Sequence, residues 1–390
     1  MDLSFKKIDN GRSGLEFCND DPPINKYPTL YLIKPPQLPG EMNESSVRRD
    51  VVLRSHHDII DGIGTLMLLN NLFTHAALIY ESDEFSPMPF GDEFKNLSPS
   101  FRFAAGVPST PSQAHRKRLQ DIQAINAATL KNTEVMSVPM TSKTAPPANN
   151  LRAAITLTKA ETKTVLEKSK LLGVSVTHTF HAGIVIALRD LQQRQSTKRT
   201  CKYVNYCLVN LRDYCKPPYN SSRHAASVYH SVSVESLIVE IEVPSKFASP
   251  ESIENLKSEF KRIVFHIKNF YVAIPSDPEQ VAMVPLCFST KPSSYSEKVQ
   301  DIPAPCETPT VSLSSLGVID QIIQPKHGPF YLNDPWVTGD ELSTGVGMFL
   351  GTWKGRSCLS ANYNEAYHTE HEVISILESV KDAVFRALDV

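Results

Sequence analysis

The sequence predicts an α/β (or α+β) protein built as two lobes of mixed strand and helix. Three observations predict it. Strand-like and helix-like periodicities alternate in both halves of the chain. The stretch 137–150 (SVPMTSKTAPPANN) sets proline, small and polar residues between two periodic regions and reads as a linker. The 390 residues, 41% hydrophobic and 21% charged, have ordinary globular composition. That length allows about two or three domains. The division that follows is 1–150 for an N-terminal lobe and 151–390 for a C-terminal lobe.

Residues 1–50 are rich in proline, asparagine and charge, with one strand expected at Thr29–Lys34 before prolines 35, 36 and 39. Asp50–Arg54 reads as a short buried strand. Asp61-Gly62 opens a helix whose Leu66, Leu69, Leu72, Phe73 and Ala76 recur at helical spacing. Residues 82–112 are proline-rich and read as loop, and 113–133 as helix. Arg152–Leu157 is strand-like. Thr158 and Glu161 then resemble a capping box, opening a helix to about Leu172, with Gly173 past its end. Ser175–Leu191 reads as a buried helix and Lys202–Val209 as a strand. Ser227–Val243 alternates as one or two strands. Glu251–Phe270 suits a helix, Thr310–Leu316, Gly345–Lys354 and Ser357–Tyr363 suit strands, and His371–Leu388 closes the chain as an amphipathic helix.

Composition excludes several classes. A net charge of -2 gives no general pull toward nucleic acid, and the basic cluster His115–Arg118 is short enough to be a solvated helix face. Seven scattered cysteines, never spaced as CxxC, argue against a disulfide framework and a structural zinc site. The N-terminus lacks the apolar core of a signal peptide, and no apolar run reaches the ~18 residues of a membrane span. The expectation is a cytoplasmic monomer with small-molecule partners, away from membranes.

The chemistry concentrates in His56-His57-Asp58-Ile59-Ile60-Asp61-Gly62, where a strand ends and a helix begins. An imidazole is suited to taking a proton from a hydroxyl near neutral pH. Metal binding by this cluster is disfavoured, because adjacent histidines seldom address one ion and no distant ligand cluster is evident. There is no GxSxG nucleophile elbow, GxGxxG or P-loop.

The HHxxxDG pattern resembles the signature of the chloramphenicol acetyltransferase-like superfamily, which includes condensation domains and BAHD acyltransferases. Further segments look most like fungal trichothecene 15-O-acetyltransferase-type enzymes: GVSVTHTFHAGIVIAL at 173–188, VNLRDYCKPPY at 209–219, SLSSLGVID at 312–320 and GTWKGRSCLSANYNEAY at 351–367. Two departures are visible. Only 55 residues precede His56, fewer than such proteins usually carry, so a shortened N-terminal lobe is expected. The DFGWG segment of plant BAHD enzymes is absent.

The resemblance implies two acetyltransferase-like lobes with a tunnel between them, and an acyl group, acetyl in the first instance, moved from a CoA thioester to a hydroxyl of a secondary metabolite. Acyl-CoA would be co-substrate, with no tightly bound cofactor and no acyl-enzyme. His57 would be general base and His56 a packing residue. Asp61 would be architectural, ion-paired to an arginine. Arg212, in Asn210-Leu211-Arg212, is the candidate partner, the other reading being surface charge. Gly62 would allow close approach or unusual dihedrals at the turn. Ser314 and Ser315 are either tunnel-lining donors to an oxyanion or part of a strand-end turn. His178 and His181 read as packing residues, and Trp336 and Trp353 as core or tunnel wall. Two alternatives stay open: the same scaffold turned to CoA-independent condensation, cyclisation, dehydration or isomerisation, and a catalytically degenerate binding protein.

Overall fold

The computed structural model describes residues 4–22, 25–36, 47–82, 91, 93–140, 146–290, 310–341 and 343–390. The first half contributes strands β1 (Phe5–Ile8), β2 (Thr29–Ile33) and β3 (Asp50–Arg54), with helices α1 (Gly14–Asn19), α2 (Gly62–Ser82), α3 (Phe101–Ala104) and α4 (Gln113–Leu130). The second half begins with β4 (Asn150–Thr156), α5 (Lys159–Leu172) and α6 (Val176–Leu191). It continues through β5 (Arg199–Asn205), β6 (Leu208–Asn210), β7 (His230–Val232), β8 (Leu237–Val243), α7 (Ile253–Ser276) and α8 (Pro278–Thr290). It ends with β9 (Val311–Val318), β10 (Lys326–His327), β11 (Phe330–Tyr331), β12 (Val346–Trp353), β13 (Arg356–Asn364) and α9 (Glu370–Leu388).

Local sequence explains most of these boundaries. Thr158 caps α5 and Glu161 reaches back to close the capping box, while Gly173 ends the helix at φ 74°. The same box recurs as Ser13–Glu16 on α1, Ser175–His178 on α6 and Thr369–Glu372 on α9.

The main sheet has the order β4-β13-β12-β9. Its β-period sorts side chains strictly between two faces. Val346, Met348 and Leu350 of β12, with Leu359 and Ala361 of β13, join α6, α7 and α9 in the largest core. Phe349, Gly351 and Trp353, with Cys358 and Ser360, point to the opposite face and line a cavity. Met136 and Val138, from before the linker, are buried in that same core.

Several expectations change. The first fifty residues hold β1 and α1 besides β2, in a small sheet where β1 runs parallel to β2 and β2 antiparallel to β3. The strand expected over Lys202–Val209 is two strands: β5 pairs with β8, then the chain breaks at Tyr206-Cys207 and β6 pairs with β7. The proline-rich stretch carries a short 3₁₀ turn at Glu93–Asn96 and α3, and its residues 83–90 and 92 lie outside the described set, as do linker residues 141–145. One described helix, α2, is long and apolar enough to cross a membrane by length and composition, contrary to expectation. It buries Leu66 and Ala77 and exposes Leu72, Leu78, Ile79 and Tyr80.

Candidate active site

β3 delivers the chain to the motif, and α2 carries it away. In the turn between them His56 and His57 are solvent-exposed. The His57 Nδ1 lies 3.0 Å from the Ile60 carbonyl oxygen. A carbonyl can only accept, so Nδ1 carries the proton and Nε2 keeps the lone pair. That tautomer presents a proton acceptor outward. His56 turns elsewhere, its Nε2 3.0 Å from the Asn25 carbonyl.

Asp61 is 3% exposed and serves the architecture. Its Oδ1 accepts from the Gly64 amide at 2.7 Å, capping α2, and its Oδ2 accepts from the Tyr229 amide at 2.8 Å and Arg212 Nη1 at 2.9 Å. Arg212, also 3% exposed, donates its Nη2 to Ser227 Oγ at 3.3 Å and lies across the Tyr229 ring. The Asp61 amide donates to the Ser227 carbonyl. A motif from the first half is thus fastened by residues 212–229 of the second.

The close approach in the turn falls at Gly64 more than at Gly62. A Cβ on Gly62 would meet Val337 and Leu316 at 3.3 and 3.4 Å, whereas one on Gly64 would sit 2.3 Å from the Ala225 carbonyl oxygen and 2.9 Å from Arg212 Nη2. Neither glycine has a positive φ.

The structure brings a further histidine to the site. The His230 ring, at the start of β7, stacks on His57 with centroids 5.0 Å apart and planes 4° from parallel. Its Nδ1 is buried without a hydrogen-bond partner. Burial lowers the His230 pKa, and the neighbouring His57 ring lowers it further. Sequence reasoning missed this residue because a lone histidine in an alternating strand carries no chemical signature. The pairing of Asn210 with His230 in the β6–β7 ladder places it, two residues from Arg212 on one strand and one from Tyr229 on the other.

Ser314 and Ser315 lie inside β9, opposite Phe349 and Leu350 of β12, and not in a turn after it. The Ser315 hydroxyl is engaged with Thr177 Oγ1 at 2.8 Å. The next residue, Leu316, faces Gly62 together with Val337. His178 completes the α6 cap, and His181 is fully buried between Tyr203 and Tyr271. Trp336 and Trp353 line the cavity on the open face of the main sheet. Among the described residues, no cluster of three or more histidine, cysteine or acidic side chains could hold a metal ion.

Comparison with known proteins gives consistent results. A family model described as 15-O-acetyltransferase Tri3 matches residues 36–265. The azaphilone biosynthesis cluster protein M of Aspergillus terreus is 26% identical, over 94% of this chain and 83% of that protein. The O-acetyltransferase pigM of Monascus ruber is also 26% identical, over 92% of this chain and 65% of its own length. Among solved structures, the TRI3 trichothecene 15-O-acetyltransferase of Fusarium sporotrichioides superposes with a TM-score of 0.78 at 18% identity, covering 98% of this chain and 77% of that one. The epimerization domain of tyrocidine synthetase B gives 0.57 at 13% identity, over 99% of this chain and 79% of the domain. The fold is therefore that of the chloramphenicol acetyltransferase-like and condensation-domain superfamily.

Proposed function

The chain belongs to the Tri3 15-O-acetyltransferase family, and from that premise we propose that it moves an acyl group, acetyl in the simplest case, from a CoA thioester to a hydroxyl of a secondary metabolite. The observation that carries this reading is the state of His57. Its Nδ1 is committed to the Ile60 carbonyl, its imidazole is exposed, and the aspartate of the motif is engaged elsewhere. Such an imidazole acts alone as a base.

In the proposed reaction Nε2 of His57 takes the proton of the acceptor hydroxyl as its oxygen attacks the thioester carbonyl. The tetrahedral intermediate collapses, the carbon–sulfur bond breaks, and the imidazolium returns the proton to the departing thiolate. The products are an ester and free CoA. The His57 ring bonds the Ile60 carbonyl and stacks on His230, and among the described residues no cysteine or serine hydrogen-bonds to it, which favours direct transfer over an acyl-enzyme.

His57→Ala should lower acetyl-CoA turnover by about 10²–10⁴-fold, the usual worth of a general base, with an unchanged melting temperature. Release of CoA thiol with candidate alcohols measures it. Near-normal transfer by the variant would sink the proposal.

A further inference from the structure

Two imidazoles meet at the turn, and they differ in what they offer a ligand. His57 holds its Nδ1 proton on the Ile60 carbonyl at 3.0 Å, which leaves the lone pair of Nε2 free. His230 lies against that ring, centroids 5.0 Å apart and planes 4° from parallel.

The two nitrogens of His230 sit in unlike surroundings. Nδ1 is buried and has no partner. Nε2 is not enclosed, and no described residue bonds it. Burial first, and the His57 ring second, hold the His230 pKa below the usual histidine value; Arg212 acts the same way, and the Asp61 carboxylate opposes them. The ring is therefore neutral at neutral pH and carries one proton. A buried N–H without an acceptor is rare and costly, so the proton belongs on Nε2, where solvent or a ligand accepts it.

This donor is held in place. His230 opens β7 opposite Asn210, and the Tyr229 amide before it is bonded to Asp61 Oδ2 at 2.8 Å. The same carboxylate caps α2 through the Gly64 amide. One anchor thus sets the base and the donor relative to each other, as a site must to orient a substrate through two polar atoms.

We propose that His230 is a specificity-determining residue, its Nε2–H donating to a second oxygen of the acceptor while His57 Nε2 receives the proton of the reacting hydroxyl. The preferred acceptor then carries that oxygen on the carbon beside the reacting hydroxyl or on the one after it, as a diol or a hydroxyketone does. A plain alcohol would engage His57 and leave the His230 N–H to water. The inference rests on the acyl-transfer reading above and names the class of acceptor for it.

A matched pair of acceptors tests it: cyclohexanol, and 2-hydroxycyclohexanone, which adds a carbonyl beside the hydroxyl. With acetyl-CoA as donor and CoA thiol as readout, the parent chain should favour the hydroxyketone by about fivefold in kcat/KM, mostly through KM, as one hydrogen bond allows. His230→Phe keeps the ring plane and removes the N–H, so it should abolish the preference. His230→Gln gives up the plane but carries an amide N–H to the place of Nε2, so it should keep most of it. Calorimetric titration of the two acceptors without acetyl-CoA should give the same order of affinity and the same response to the variants.

A preference unchanged in His230→Phe, or lost equally in His230→Gln, overturns the inference. So does a parent chain that neither binds the hydroxyketone nor transfers to it. The two readings fail separately. If binding of the hydroxyketone depends on the His230 N–H but no acyl group is transferred, the subsite stands and the reaction falls. If transfer occurs with the same ratio in the parent and in His230→Phe, the reaction stands and the subsite falls.

Discussion

The Asp61 carboxylate accepts three hydrogen bonds among the described residues, and none comes from an imidazole. Its loss would leave Arg212 buried without a counter-charge, which costs about 3–5 kcal/mol. Asp61→Ala should therefore lower the unfolding free energy by that amount and bring the urea midpoint down with it. Lost turnover with an undiminished midpoint would instead give Asp61 a direct part in the chemistry. His230 invites a different measurement. Its ring fixes one face of His57, so His230→Ala should lower kcat/KM about tenfold by releasing the base, while His230→Phe, which preserves a flat face, should cost less. Equal losses in the two would point to the ring nitrogens and not to the stacking plane. Of these residues, His57, Asp61 and Arg212 were legible because the motif and the Asn-Leu-Arg segment have recognisable sequence. His230 and Gly64 were not, since the His230 role arises from stacking on His57, 173 residues away, and the Gly64 role from a close approach to the Ala225 backbone, 161 residues away, which no local pattern records.

At the scale of elements, α6 is the clearest case of a helix held by a buried polar residue. His181 on α6 contacts Tyr203 of β5 through Nε2 at 2.8 Å and Tyr271 of α7 through Nδ1 at 3.1 Å. Burial pushes its pKa down to about 3. An unfolded histidine titrates near 6.5, so below that pH the unfolded chain binds a proton that the folded chain refuses. Stability is then intact above about pH 6.5 and declines as the pH falls toward 3. Between pH 7 and pH 5 this residue should account for about 1–2 kcal/mol of lost stability. His181→Gln should lose correspondingly less over the same interval in chemical denaturation, and an identical loss would remove His181 as the cause. Elements with end signals were readable: α5 from Thr158, Glu161 and Gly173, and α2 from its apolar spacing. The same capping grammar at Ser13 and Glu16 went unread amid proline and asparagine. The β5–β6 break was unreadable for a physical reason. Strand propensity runs on through Tyr206-Cys207 while the pairing partner changes from β8 to β7, and partner exchange is a non-local event.

For the whole molecule, we propose that the two lobes meet within residues 131–150. Met136 and Val138 are already buried in the second lobe's core, their segment bridged to β5 through Lys202, and the main sheet begins at Asn150. The lobes interlock in the other direction through Asp61, which has its partners at Arg212 and Tyr229. Co-expressed as pieces 1–140 and 146–390, the chain should therefore copurify and retain His57-dependent turnover. Recovery of 1–140 as an independently folded piece, with no affinity for 146–390, would contradict the interlock. One consequence of this arrangement lies in the β6–β7 ladder, which is three residue pairs long. A one-residue slip in a strand pair sends every side chain to the other face. Here such a slip would carry His230 away from the imidazole it covers and shift Tyr229 off the carboxylate it supports. Alignment of the proton acceptor and anchorage of the turn are thus two readings of a single setting, and the chain between Arg212 and Tyr229 is free to vary only so far as it returns to the same notch.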